Sequence, residues 1–231
     1  MKRHIPNFIT CLNVTCGAIA IVMAAKFNNL NAAALFIVAG MVFDFFDGLT
    51  ARALNVKSEV GKELDSLADV CSFGVAPAIL AYSLMLQVAP VGMEWLAWIA
   101  FIMPALSAYR LAKFNLDTRQ TVSFIGMPTP ANALFWVGLV FGMGWAPEIY
   151  NAIFANIYLL SIFVVGLSLL LISELPMFSL KLQGLGWSEN KALYIFLLLA
   201  LISLPIIKSG TIMILMPLYI IVCFIQFITR K

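Results

Sequence analysis

The sequence predicts an all-α integral membrane protein, a polytopic bundle of about eight transmembrane helices folded as one domain over 1–231. Three observations predict it. Of the 231 residues, 63% are hydrophobic and only 11% are charged, whereas soluble domains carry about 25% charge. The mean hydropathy is +1.01, and a soluble fold of this size cannot hide that much apolar surface from water. The apolar residues also come in runs close to the ~20 residues a helix needs to cross a bilayer. A net charge of +3 without a basic tract excludes a nucleic-acid-binding module. The composition equally excludes a soluble enzyme and a disordered tail.

Taken in chain order, the runs are 8–27, 31–54, 63–88, 95–115, 129–146, 151–173, 191–207 and 210–229. The first is followed by no small-residue cleavage site and reads as a retained span. The second and third carry charge inside the apolar run. The fourth and fifth have Trp95, Trp98 and Trp145 near their ends, as an interfacial aromatic belt requires. The turn Gly126-Met-Pro128-Thr-Pro130 leads into the fifth span and is placed to wall a pocket. The polar stretch 174–190 reads as a cytoplasmic linker, and the last two runs join tightly around Lys208-Ser209-Gly210. With eight spans, one side holds Lys2, Arg3, Arg52, Lys57, Lys62, Arg110, Lys113, Arg119, Lys181, Lys191, Arg230 and Lys231. The other holds Lys26 and Lys208, a split of 12 against 2 among the 14 basic residues. The positive-inside rule then puts both termini in the cytoplasm. Six spans would keep this bias if the final pair were one re-entrant hairpin. Cys11, Cys16, Cys71 and Cys223 form no CxxC pair and read as buried thiols, and the single His4 has no partner for a metal site.

Four aspartates interrupt the second and third runs: Asp44 and Asp47, then Asp65 and Asp69. Each ionisable group inside a span costs about 2.5–3.5 kcal/mol on insertion scales. Spacings of three and four residues put each pair on one helix face, and two runs joined by a short polar stretch can bring those faces together. Any one aspartate could be solvated at a helix end or paired with Arg52; four at matched spacing point to a shared role. Converging carboxylates repel unless a cation intervenes, and an oxygen-only donor set favours Mg²⁺, Mn²⁺ or Ca²⁺ over zinc. A divalent-cation transporter would also place carboxylates here.

The small residues sharpen the reading. Gly48 and Ala51 continue the face of Asp44 and Asp47, and Gly61 stands one turn before Asp65. They leave room for a bulky ligand or a close helix. Arg52 ends the second run at its mouth, where a guanidinium can grip a phosphate bidentately. Carboxylates, a divalent metal, small residues and an arginine at one interface describe a site for a phosphate diester or anhydride.

The run from Asp44 to Asp69 reads D-x2-D-G-x2-A-R-x8-G-x3-D-x3-D. At every fixed position it resembles the signature of the CDP-alcohol phosphatidyltransferase family. The stretches Pro6–Asn13, Glu63–Pro77, Tyr109–Asn115 and Phe124–Pro130 are similar to the phosphatidylserine synthase branch, so the resemblance covers roughly the first 130 residues. It implies that Asp44, Asp47, Asp65 and Asp69 hold two divalent ions, Mg²⁺ or Mn²⁺, at the pyrophosphate of CDP-diacylglycerol. It implies further that Asp69 is the general base for the hydroxyl of L-serine, that CMP leaves, and that Gly48 and Ala51 admit the cytidine. Asn7 and Thr10 are either nucleotide contacts or helix caps. The resemblance also implies a homodimer among membrane lipids. For a bacterial source it implies residence in the inner membrane, with the site facing the cytoplasm.

Arg110 and Lys113, three apart near the end of the fourth run, read either as interfacial anchors or as an anion site for lipid phosphate or the acceptor's carboxylate. Glu63 pairs with Lys62 or Arg52, or lines the pocket. Lys57, Lys62 and Arg119 read as topology charges that also attract anionic headgroups. Phe43, Phe45 and Phe46 read as lipid-facing or packing residues. The acceptor rests on resemblance alone; glycerol 3-phosphate or an inositol phosphate are the alternatives, and either would want a denser basic pocket.

Overall fold

The computed structural model describes residues 4–56, 58–116, 124–177, 187–207 and 211–229, with backbone alone at 124–125, 176–177, 187–193, 204, 206–207, 212 and 226–229. Helix α1 is His4–Ala25 and α2 is Leu30–Ala53. A third apolar helix, α3, runs Glu59–Val88 and α4 runs Glu94–Leu116. Then come α5 (Thr129–Trp145), the short α6 (Pro147–Phe154), α7 (Ile157–Ile172), α8 (Trp187–Ile207) and α9 (Thr211–Thr229). A two-residue antiparallel ladder pairs Phe124 with Met177 and Ile125 with Pro176.

Each boundary has a local cause. Asn28 turns the chain at φ +48, and the Asn29 side chain caps α2 by accepting from the Ala32 N–H at 3.0 Å. Ser58 caps α3 in the same way, accepting from the Gly61 N–H at 3.0 Å. Asn156 accepts from the N–H groups of Tyr158 and Leu159 at the start of α7. Immediately after Asp69, α3 widens into a π-helical stretch over Val70–Val75, a distortion that often accompanies functional sites.

Small residues let the helices close around that stretch. A Cβ on Gly17 of α1 would collide with the Ser72 hydroxyl and lie 2.8 Å from its Cα. Gly40 of α2 meets Asn13 Oδ1 at 3.0 Å, and Gly74 meets Ser107 Cβ at 3.1 Å. The Ser72 hydroxyl donates to the Asn13 carbonyl at 3.0 Å, fastening α3 to α1. Behind this seam lies the core, with Ile37, Phe73, Leu80, Leu84, Met85, Phe135 and Trp136 fully buried. The outer faces are apolar and exposed, including Leu35, Val42, Phe45, Phe46, Ile162 and Leu169, the surface a bilayer covers.

All eight apolar runs correspond to helices, but not every helix is a span by itself. Among the described residues, four are long and apolar enough to cross a membrane, or five if the bent pair α5 and α6 counts as one. That pair bends by 116° at Ala146-Pro147. A separate break at Ala155-Asn156 divides the run 151–173: its start belongs to α6, and α7 keeps Ile157–Ile172, which is about 24 Å long against ~30 Å of hydrocarbon. The 174–190 linker is also shorter than expected, because α8 begins at Trp187; Ser188, Glu189 and Asn190 are polar, so hydropathy does not count them as helix. The Gly126–Pro130 turn is pinned to the end of α7, with the Gly126 N–H bonded to Leu175 O and the Met127 N–H to Leu170 O, both at 2.9 Å. Gly126 has φ +76, and a Cβ there would lie 2.7 Å from Leu171 O, so a side chain is excluded. No disulfide joins the cysteines; Cys16 and Cys223 are buried, Cys71 is half-buried and Cys11 is exposed on α1. Lys2, Arg3, Lys57, Arg119, Lys181, Lys208, Arg230 and Lys231, which enter the orientation argument, lie outside the described residues.

Candidate active site

Helix α1 packs along the whole of α2 and also against the first turns of α3, while α2 and α3 scarcely touch each other there. The aspartates meet across the gap this leaves. One carboxylate oxygen each from Asp44, Asp47 and Asp65 lies within 4.8 Å of the others. Asp69, one turn deeper, is buried with its carboxylate against that of Asp44 and close to Arg110. None of the four makes an ion pair within 4 Å among the described residues. Asp65 Oδ1 and Asp69 Oδ1 are buried without a hydrogen-bond partner. Grouped carboxylates left uncompensated in this way are costly, and an all-oxygen donor set with unused lone pairs fits a hard divalent cation.

Beside the cluster opens a cavity of about 270 Å³, lined by Pro6, Asn7 and Thr10 of α1, Asp47, Gly48 and Ala51 of α2, Val56 and Ser58 of the connection, and Gly61, Lys62 and Asp65 of α3. Five residues singled out for substrate, Asn7, Thr10, Gly48, Ala51 and Gly61, thus share one wall. Gly48 separates the two readings of the small residues: a Cβ there would meet only the Arg52 guanidinium, at 3.6 Å, so the space is open to a ligand and is not filled by a helix. Gly61 answers differently, since a Cβ there would lie 2.9 Å from Asn7 Oδ1. Thr10 is not a cap. It sits inside α1, and its hydroxyl donates to Asp47 Oδ2 at 2.6 Å.

Other expected residues fall outside the cavity wall. Arg52 is exposed at the mouth. Arg110 is buried, with its guanidinium carbon 5.5 Å from the Phe114 ring centroid and Nε unpartnered. Lys113 is half-exposed and pairs with Glu174 at 3.6 Å, so the Arg110–Lys113 pair is split between the interior and the surface. Glu63 is exposed and off the wall. Sequence reasoning missed Ser58, and it read Lys62 as a topology charge that attracts headgroups or pairs with Glu63, not as part of the cavity. Lys62 lines the cavity and donates to Asn115 O at 2.9 Å, while the Asn115 amide donates to Ser66 Oγ at 2.9 Å. The available signal was spacing, because Lys62 stands three residues before Asp65 and so shares its face.

The model of the CDP-alcohol phosphatidyltransferase family matches residues 3–167. The chain belongs to this family. The CDP-diacylglycerol–serine O-phosphatidyltransferase of Bacillus subtilis is 41% identical over 174 residues, covering 75% of this chain and 89% of its own length. The enzyme of that name from Mycobacterium leprae is 34% identical over 238 residues, 96% of this chain and 73% of that one. The one from Saccharomyces cerevisiae is 36% identical over 169 residues, 67% of this chain and 58% of that one. The CDP-alcohol phosphatidyltransferase match runs from α1 into α7, so it includes every residue of the aspartate cluster and its cavity.

Proposed function

We propose that the chain transfers the phosphatidyl group of CDP-diacylglycerol to the hydroxyl of L-serine, giving phosphatidylserine and CMP. The observation that carries this reading is the convergence of carboxylates from α2 and α3, with no ion pair within 4 Å among the described residues, on a cavity left open by Gly48. The names of the relatives supply the acceptor. Asp44, Asp47, Asp65 and Asp69 would hold two divalent ions, Mg²⁺ or Mn²⁺, which would supply positive charge against that of the pyrophosphate and of CMP. Asp69 takes the proton from the serine hydroxyl, which is a poor nucleophile without a positioned base. The serine oxygen then bonds to the phosphorus that bears the diacylglycerol, and the bond from that phosphorus to the CMP oxygen breaks, its electron pair leaving with CMP.

The remaining residues bind and orient. Gly48 and Ala51 give the cytidine close access to α2, Asn7 and Gly61 form the facing wall, and Arg52 meets phosphate at the mouth. Arg110, buried beside Asp69, receives the acceptor's carboxylate, with Lys113 further out toward the surface. That separation disfavours glycerol 3-phosphate or an inositol phosphate, whose extra phosphate calls for several cations together. The whole chain, 1–231, acts as one catalytic domain with eight spans and both termini in the cytoplasm, as its basic-residue asymmetry supports. It works as a homodimer in the inner membrane with the cavity facing the cytoplasm. Lipid tails then stay in hydrocarbon while serine and CMP exchange with water.

The test is CMP release from CDP-diacylglycerol by the purified chain with Mn²⁺ or Mg²⁺, offering L-serine, glycerol 3-phosphate and inositol phosphate in parallel. Release that requires serine and yields a serine-bearing lipid supports the proposal. Release with another acceptor only would keep the site and overturn the acceptor.

A further inference from the structure

Thr10 was expected to touch the nucleotide or to cap a helix, and its hydroxyl is already engaged elsewhere. It lies 2.6 Å from Asp47 Oδ2 and 3.1 Å from the Pro6 carbonyl one turn back. A threonine hydroxyl has one proton to give, and the nearer acceptor, Asp47 Oδ2, takes it; 2.6 Å is a short O–H···O hydrogen bond. Thr10 and Asp47 are 3% and 6% exposed, so the contact is largely buried beneath the cavity wall that both residues join. The bond also joins α1 to α2 at the place where α2 and α3 scarcely meet.

We propose that Thr10 is a positioning residue for the cation-binding carboxylates and not a nucleotide contact: by holding Asp47 Oδ2 it fixes the carboxylate's rotation and keeps Asp47 turned toward Asp44 and Asp65. This rests on the divalent-cation reading of the cluster given above. An outer group that orients a metal ligand typically contributes 10–100-fold in metal affinity, and only its hydroxyl matters for that role. The β-branched methyl is dispensable.

The experiment is a Mn²⁺ titration, followed by electron paramagnetic resonance, of the full-length protein in detergent without substrate. The unsubstituted chain, Asp47→Asn, Thr10→Val, Thr10→Ala and Thr10→Ser are compared after thermal melting confirms folding. Removing the hydroxyl should weaken Mn²⁺ binding about tenfold or more, whereas Thr10→Ser should remain near the unsubstituted affinity. At saturating Mn²⁺, the KM for CDP-diacylglycerol of Thr10→Val should return close to normal. Thr10→Ala removes the same hydroxyl with less bulk, so a misfolded valine variant leaves the inference testable. Unchanged Mn²⁺ affinity in the hydroxyl-free variants, with a raised KM at saturating metal, would overturn the inference and make Thr10 a nucleotide contact. The cluster reading fails separately, and the inference with it, if the unsubstituted chain binds no Mn²⁺ or if Asp47→Asn binds it equally well.

Discussion

Two cavities open at opposite ends of α1, and the smaller one adjoins the aspartate cluster. The first, about 270 Å³, is lined by Asn7, Thr10, Asp47, Ser58, Lys62 and Asp65 around the small residues Gly48, Ala51 and Gly61. The second, about 450 Å³, is lined by Ala24, Ala25, Ile79, Leu86, Tyr82, Trp98 and Phe101, with Asn28, Ser83 and Gln87 the other polar members. Along a straight helix, Asn7 and Ala25 are about 27 Å apart, close to the thickness of a bilayer's hydrocarbon. In the second cavity the Tyr82, Trp98 and Phe101 rings pack with centroids 5.4–5.6 Å apart, which suits an interfacial aromatic cluster. No Asp, Glu, His, Lys or Arg is among its lining residues. Volume alone therefore does not mark a site in a membrane helix bundle. Charge retained inside an apolar run, against its insertion cost, does.

The sharpest way to break this contrast is Asp69→Asn. Loss of the base should lower turnover about 10²–10⁴-fold while CDP-lipid binding is largely kept; near-normal turnover across the pH range would remove Asp69 from that role. Asp44→Asn comes next and should weaken Mn²⁺ and nucleotide binding together, by about 100-fold or more, beyond the usual loss from an outer contact. Titration calorimetry with Mn²⁺ and CMP would check it. Gly48→Leu tests the open wall. Since a Cβ there meets only Arg52, the variant should fold, and the KM for CDP-diacylglycerol should rise about 10–100-fold because the pocket is filled. Gly17→Ala should do the reverse, destabilising the fold by about 1–3 kcal/mol through overpacking on Ser72, as read by thermal melting. The smallest effect belongs to the far cavity, where Leu86→Phe should leave CMP release within about twofold, under 0.5 kcal/mol in activation free energy. A large loss there would mean that the two ends are coupled.

Much of this was legible in the chain. Each apolar run corresponds to helix among the described residues, because hydropathy over ~20 residues reports the one property a bilayer demands. The aspartates were legible because charge there is expensive, and their spacing gave the faces. What stayed hidden depends on direction and distance. Hydropathy does not register that the chain turns by 116° after Trp145, nor that a break at Ala155-Asn156 divides the next apolar run between two helices. The Thr10–Asp47 bond spans 37 residues, and no local pattern ties a lone threonine to a particular carboxylate. Arg110 and Lys113 are one helical turn apart in sequence, but Glu174 draws Lys113 outward, and that partner comes from a distant connection. Lys62 was legible by its face and was passed over because a lysine at a helix mouth also satisfies the topology rule.

The most direct test of the central claim reconstitutes the chain in liposomes containing CDP-diacylglycerol, adds L-serine, and follows CMP release and Mn²⁺ movement together, before and after chelation. The account predicts serine-dependent CMP release that stops on chelation and returns with Mn²⁺ or Mg²⁺, with no net cation flux. Cation flux without CMP release would contradict it and make the aspartates a path for ions.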